Sequence, residues 1–234
     1  MAATARGFGP TASRAAMQDL RNCALRAVRL ASSPMTAFDH FAIAAATLDD
    51  GAAYVTRHLG QRIGPGGGHA LMGTHNRLSG LGPGEYFEVI AIDPDAPAPG
   101  RARWFDLDRR AGPPRIGNWI LRTDDLDALV ARFPQAGRPL EFVRGAFRWR
   151  MAVPDDGILP FDGCFPALIQ WDTPAPRFSD EGLRLTGLTL RHPNAEELGP
   201  IVAELTDDSR ITIETGERAI VASIDTPDGP RQIG

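Results

Sequence analysis

The sequence predicts an α+β fold made of repeated βαβββ modules, two of them paired to form a cleft and a shorter third βαββ copy packed beside them. Three observations predict it. A strand, a helix and then strand-rich sequence with tight turns follow one another, and the same order returns at a spacing of about 75 residues. Pro-rich stretches, Asp93–Gly100 and Thr173–Arg177, fall between the copies. Within the strand segments apolar residues alternate or run together, and in the helical segments they recur every three to four positions.

Taken in order, the first module spans residues 36–95. Phe38 to Ala45 is a short apolar run suited to a buried strand. A helix from Thr47 to Leu59 follows, stopped by Gly60. Gly64 to Gly68 reads as a turn. Leu71–Leu81 and Tyr86–Ile92 read as strands joined by Gly82-Pro83-Gly84. The second module spans 116–173. It opens with Asn118–Arg122 and continues with a helix from Thr123 to Phe133, whose apolar face is Leu126, Leu129, Val130 and Phe133. Strands at Leu140–Arg144, Phe147–Val153 and Ala167–Trp171 complete it. The third unit spans 183–226. It has a strand at Leu183–Arg191, a helix from Asn194 with Glu197 as capping-box partner, and strands at Arg210–Thr215 and Arg218–Asp225. Gly199 and Pro200 weaken or kink the first turns of that helix.

One such module cannot cover both faces of its sheet. Helices cover one face, and two modules set edge to edge curl their bare faces into a half-barrel. Residues 1–34 stand apart, rich in Ala, Arg and Ser with Asp19 as the one acid. They read as a disordered or loosely helical extension, as sequence ahead of a true start at Met35, or as a transit peptide.

Composition narrows the function. Over 234 residues the chain is 43% hydrophobic and 23% charged, the balance of a folded globular protein. With a formal net charge of −4 and no basic stripe, a nucleic-acid partner is not expected. No apolar run is long enough to span a bilayer, so no membrane partner is expected. Cys23 and Cys164 make neither a disulfide framework nor a zinc motif, which suits a reducing, cytoplasmic setting. Cys164 reads as a structural thiol.

Alternation assigns faces. His40, Ala42 and Ala44 share one face of the first strand and Phe41 and Ile43 the other; the apolar pair suits the helix-covered side, so His40 looks into the cleft. Tyr86, Glu88 and Ile90 likewise share the cleft face of the module's last strand. A carboxylate inside an apolar strand needs a partner, and His40 is the nearest candidate. The pair is read as two metal ligands, as a metal-free binding or acid–base pair, or as structural. His75 and Asn76 are neighbours on one strand, so one of them faces the cleft, and the sequence leaves open which. His75 inside would be a third ligand. His69 follows three glycines at a lip. Trp149 lies between Arg148 and Arg150, which read either as an anion clamp over the cleft or as a solvated face. His58 sits at a helix end and His192 in a turn.

The stretches Phe-Asp-His40, Arg-His-Leu-Gly60, Gly-Gly-Gly68-His69, Met72-Gly-Thr-His-Asn-Arg-Leu78 and Tyr86-Phe-Glu-Val-Ile-Ala91 resemble the glyoxalase-like (glyoxalase/bleomycin-resistance-like) domain of the vicinal-oxygen-chelate superfamily. Ala-Leu-Ile-Gln-Trp-Asp172-Thr-Pro resembles the end of that domain's second module, and the likeness runs from Thr36 to Asp225. It implies a divalent metal (Zn, Fe, Mn or Ni) in the cleft, held from the first and last strands of both modules, and no nucleotide cofactor. His40 and Glu88 match the first-module ligand positions. The second-module positions fall near Asn118–Trp119 and Leu168–Gln170, where only the neutral Asn118 or Gln170 can coordinate.

Two functions follow as expectations. One is a lyase, isomerase or dioxygenase acting on a small oxygenated metabolite, with Glu88 and His40 as catalytic residues and His75, Asn76, His69, Arg148, Arg150, Trp149 and Gln170 as substrate contacts. The other is a non-catalytic binding or sequestering protein of the same fold. Modules of this kind pair within a chain or between chains, so a homodimer is among the expected assemblies.

Overall fold

The computed structural model describes residues 36–234; the N-terminal extension expected at 1–34 lies outside the described residues. The first module is β1 (Thr36–Ala44), α1 (Leu48–Leu59), β2 (Gly68–His69), β3 (Thr74–Gly80) and β4 (Tyr86–Ile92). The second is β5 (Arg115–Thr123), α2 (Leu126–Arg132), β6 (Arg138–Arg144), β7 (Phe147–Val153) and β8 (Ala167–Trp171). Both modules are wired alike and join into one eight-stranded sheet of order β2-β3-β4-β1-β5-β8-β7-β6. First and last strands pair in parallel within each module, β1 with β4 and β5 with β8. The modules meet where β1 runs antiparallel to β5.

The helices form for local reasons. Thr47 caps α1 by accepting from the Asp50 amide, and Gly60 closes it in the left-handed conformation at φ 70°, its amide donating to Thr56 O. Asp49 and Asp50 sit in the first turn and Arg57 and His58 in the last, matching the helix dipole. Tyr54, Val55 and Leu59 then bury one stripe against β4 and β3. On the sheet beneath, Phe41 stacks on Phe87 with centroids 5.4 Å apart. Those two rings mark the helix-covered face; His40 and Glu88 therefore lie on the other.

Gly51 brings α1 close to the sheet. A Cβ there would stand 2.2 Å from Val89 Cγ1. Overpacking costs about 1–3 kcal/mol, and alanine regains up to about 1 kcal/mol of helix propensity. Gly51→Ala is thus expected to lower stability by roughly 1–2 kcal/mol, seen as a lower urea midpoint at unchanged slope.

The glycine run is more than a turn. Gly64 donates to Leu78 O and Asn76 to Gly67 O, so the segment lies flat along β3. A side chain at Gly66 would place a Cβ 2.0 Å from Asn76 O. This close approach lets β2, at the end of the expected turn, pair with the start of β3, and the strand expected at Leu71–Leu81 is shortened to Thr74–Gly80.

The third unit is β9 (Arg184–His192), α3 (Ala195–Leu205), β10 (Ile211–Thr215), β11 (Ala219–Thr226) and β12 (Gly229–Ile233), in the order β10-β9-β11-β12. It has one strand more than the expected copy and different wiring. The strand after the helix, β10, pairs directly with β9, whereas β2 and β6 go to the sheet edges. The expected capping box is absent, because the Asn194 side chain makes no cap; the helix runs on through Pro200. β11 packs on β5 and β12 on α1. One apolar core links all three units, and residues 36–234 form one body. Cys164 is buried and free, its thiol pushed up by burial. Among the described residues no helix is long and apolar enough to cross a membrane.

Candidate functional site

The cleft face of β1 carries a break in the alternation. Phe38 pairs with Leu121 and His40 with Ile120, leaving Asp39 as an extra residue in β1. A bulge of this kind can re-aim a side chain, and here Asp39 reaches the same neighbourhood as His40. The Asp39 carboxylate, 0% exposed, lies 2.7 Å from His40 Nδ1 and accepts from Trp171 Nε1 at 3.0 Å. His40 Nε2 lies 3.6 Å from Glu88 Oε1. The other oxygen of Glu88 accepts from Asn76 Nδ2 at 2.7 Å. Tyr86 stacks on the His40 ring, centroids 4.3 Å apart. His40 and Glu88 are 4% and 5% exposed, so this chain of charges is sealed from solvent.

The electrostatics follow from that enclosure. Burial alone would lower the His40 pKa, but its contacts with Asp39 and Glu88 outweigh burial and raise it to about 9. Burial alone would raise Glu88, yet the His40 contact holds it below the usual carboxylate range. At neutral pH the site is an imidazolium between two carboxylates. Burial and the nearby acids keep the Tyr86 phenol protonated well beyond its ordinary range.

His69 extends the network with the opposite character. Burial lowers its pKa to about 4, so it is neutral. Its Nε2 faces two donors, Arg144 Nη1 at 3.3 Å and Asn76 Nδ2 at 3.4 Å, so that nitrogen accepts. The proton then sits on Nδ1, toward Thr74 Oγ1 at 3.1 Å. Around it stand Trp104 from the linker between modules, edge-on at 5.0 Å, and Trp149 of β7 at 6.2 Å. Trp104 also stacks on Phe142, and Trp149 lies between Phe142 and Trp171. The linker thus folds an aromatic wall onto this part of the sheet.

Of the residues singled out in the sequence, His40, Glu88, Asn76, His69 and Trp149 come together here. Four others do not. His75 lies on the other face of β3, 3.9 Å from Asp93 and beside Arg77, which pairs with Asp49 of α1. Arg150 points to α2, pairing with Asp127 at 2.8 Å, and Arg148 is exposed. Gln170 accepts from the Leu126 amide and from Arg150 on that same helix side. The arginine that enters the cleft is Arg144, at the end of β6, which donates to Asn76 Oδ1 at 3.1 Å. The sequence reading missed Arg144, Asp39 and Trp104.

The donor set does not fit a resident divalent metal. His75 faces away, the His69 lone pair is covered by two donors, and Arg144 adds a positive charge. Asn118 is held by its contact with Gly163 O, and Gln170 is occupied on the far face. Among the described residues no group of three or more His, Cys, Asp or Glu side chains is placed to share an ion.

Comparison with known proteins agrees with this architecture. The model of the glyoxalase-like domain matches residues 38–206. A hypothetical protein from Staphylococcus aureus superposes with a TM-score of 0.54 at 16% identity, over 77% of this chain and 86% of that one, a likeness of fold alone. Methylmalonyl-CoA epimerase from Mycobacterium tuberculosis aligns at 25% identity with a TM-score of 0.40, covering 62% of this chain and 93% of that one. No curated protein matches in sequence.

Proposed function

The chain belongs to the glyoxalase-like domain family of the vicinal-oxygen-chelate superfamily, and we propose that it binds a small oxygenated metabolite in the cleft and acts on it by proton transfer through His40 and Glu88, without a resident metal. The observation that carries this reading is the sealed Asp39–His40–Glu88–Asn76 chain on the cleft face. A core of this size gains little from an enclosed ion triad, since burying charges costs several kcal/mol per ion before pairing.

The chemistry follows from where the protons sit. His40 Nε2 carries one and directs it at Glu88. An oxygen of the ligand that reaches Nε2 displaces Glu88 Oε1 from its ion-pair contact and accepts a hydrogen bond from Nε2, or the proton itself. Glu88, released from His40, is then the acceptor for a proton leaving the ligand. Asp39 holds the ring from behind and stabilises its charged form. Positioned proton transfer of this kind is worth about 10²–10⁴ in rate. Because the pair is sealed, the reading requires the side chains that cover it to move when a ligand binds.

Trp104, Phe142 and Trp149 favour a second reading, a sequestering protein that holds its ligand on aromatic faces without turnover. The experiment is a thermal-shift and NMR screen of the full chain against 2-oxo acids, 2-hydroxy acids and hemithioacetals, with metal analysis of chelator-free protein. We expect a binder that is converted, metal well below one ion per chain, and conversion reduced at least a hundredfold in Glu88→Gln and His40→Gln. Binding without conversion selects the sequestering reading. Stoichiometric metal that is lost in Glu88→Gln overturns the metal-free one.

A further inference from the structure

A second candidate site lies away from the His40–Glu88 pair. A cavity of about 270 Å³ opens between the start of β5, the linker turn at 104–111 and the loop at 158–163, with Arg218 entering from the third unit. Its charge is unbalanced. Of the four arginines on its wall, Arg109 is paired with Asp106 at 2.7 Å. The other three, Arg110, Arg115 and Arg218, have no carboxylate within ion-pair distance among the described residues. Asp162, the second acid on the wall, has its carboxylate 3.4 Å from His192 and offers Arg218 only its backbone oxygen.

The guanidinium groups have hydrogens to spare. Arg218 spends three N–H groups on backbone oxygens, those of Asp162, Ile116 and Gly117 at 3.0, 3.0 and 2.6 Å. Two of its five donors are left over. Arg110 donates to Gly112 O and Pro113 O, while its buried Nε has no partner. The Arg115 guanidinium makes no hydrogen bond or ion pair with the described residues, and its charge is felt at both Arg110 and Arg218. Three like charges drawn together around a hollow oppose one another, and an anion between them would relieve that.

The backbone around the hollow is strained as well. Phe105, Asp106, Phe161 and Asp162 all have φ between 51° and 59°, and they are the non-glycine residues with positive φ among those described. L-residues adopt this conformation only under strain, and strain of this kind gathers at ligand clamps. Here it shapes the two rims that face each other across the cavity.

We propose that this cavity binds a small metabolite through a carboxylate or phosphate group held by Arg110, Arg115 and Arg218. Guanidinium forks match the geometry of both oxyanions. The volume, about 270 Å³, lies just under the usual range of ligand pockets, which limits the occupant to a compact molecule.

The test is calorimetric titration of the full chain with sodium malonate and, separately, with inorganic phosphate, at low and at moderate salt. We expect at least one of them to bind, with affinity that falls as salt rises. Tighter malonate marks a carboxylate ligand and tighter phosphate a phosphate ligand. Arg115→Gln and Arg110→Gln should each weaken binding about tenfold. Arg115 is exposed, so its replacement leaves the fold intact; Arg138→Gln, on the surface outside the cavity, should bind as the native chain does. Failure of both anions to bind, or native-like binding in Arg115→Gln and Arg110→Gln, overturns the proposal.

Discussion

Replacing Asp39 by alanine is expected to lower the unfolding free energy by about 3–5 kcal/mol, the usual cost of breaking a buried ion pair from one side. The carboxylate serves two partners at once, buried His40 at Nδ1 (2.7 Å) and half-buried Trp171 at Nε1 (3.0 Å). Without it the half-buried indole N–H also loses its acceptor. His40 would keep one carboxylate where it had two. Burial then prevails more easily, and the His40 pKa falls from its native value of about 9. Urea unfolding measures the first effect and an NMR titration of the His40 ring the second. Asp39→Asn separates charge from shape, because it keeps an oxygen for Trp171 while losing the negative charge. It should lose less stability yet still lower the His40 pKa. If Asp39→Ala stays within about 1 kcal/mol of the native chain, or His40 titrates unchanged, Asp39 does not hold the ring.

That carboxylate also marks a limit of what alternation along a strand reveals. A period of two places His40 and Glu88 on the cleft face, and their contact needs only that both strands stay regular between them. Asp39, one residue earlier, belongs by the same rule to the helix-covered face, and nothing in Phe-Asp-His announces a bulge. The phase of β3 was undecidable for a similar reason, since His75 and Asn76 are both polar and either could face inward. The outcome rests on pairing: Asn76 lies opposite Ile90 and Leu78 opposite Glu88, so the even-numbered side chains share the face of Glu88. Arg148 and Arg150 stand out in the sequence because they flank a tryptophan. That same alternation, with Trp149 inward, sends both of them outward. Arg144 enters the cleft because it ends β6, and Trp104 because the linker folds back; chain reversals of that kind leave no periodic trace. The module order was legible because helix and strand periods differ. The extra strand β12 was not, because Gly229–Ile233 is short and carries a proline.

Stability should peak near pH 6.5 and fall on both sides, for reasons traceable to two histidines. His40 titrates at about 9 when folded and at 6.5 when unfolded, so its contribution is complete below pH 6.5 and is lost as pH rises toward 9. The size is on the order of 3 kcal/mol, taking 1.36 kcal/mol for each pH unit. His69 behaves oppositely. Its folded value is about 4, so between pH 6.5 and 4 the unfolded chain takes up a proton that the folded chain refuses, and stability falls with pH by a similar amount. Glu88, held below 4.5, adds a loss that begins only at the acid end of that range. Urea unfolding at pH 5, 6.5 and 9 tests the shape, and two substitutions assign its limbs. His40→Gln should flatten the alkaline limb and leave the acid one; His69→Gln should do the reverse. A native chain as stable at pH 9 as at pH 6.5 would mean that His40 is not held protonated between its two carboxylates, and proton donation from Nε2 to a ligand would then lose its basis.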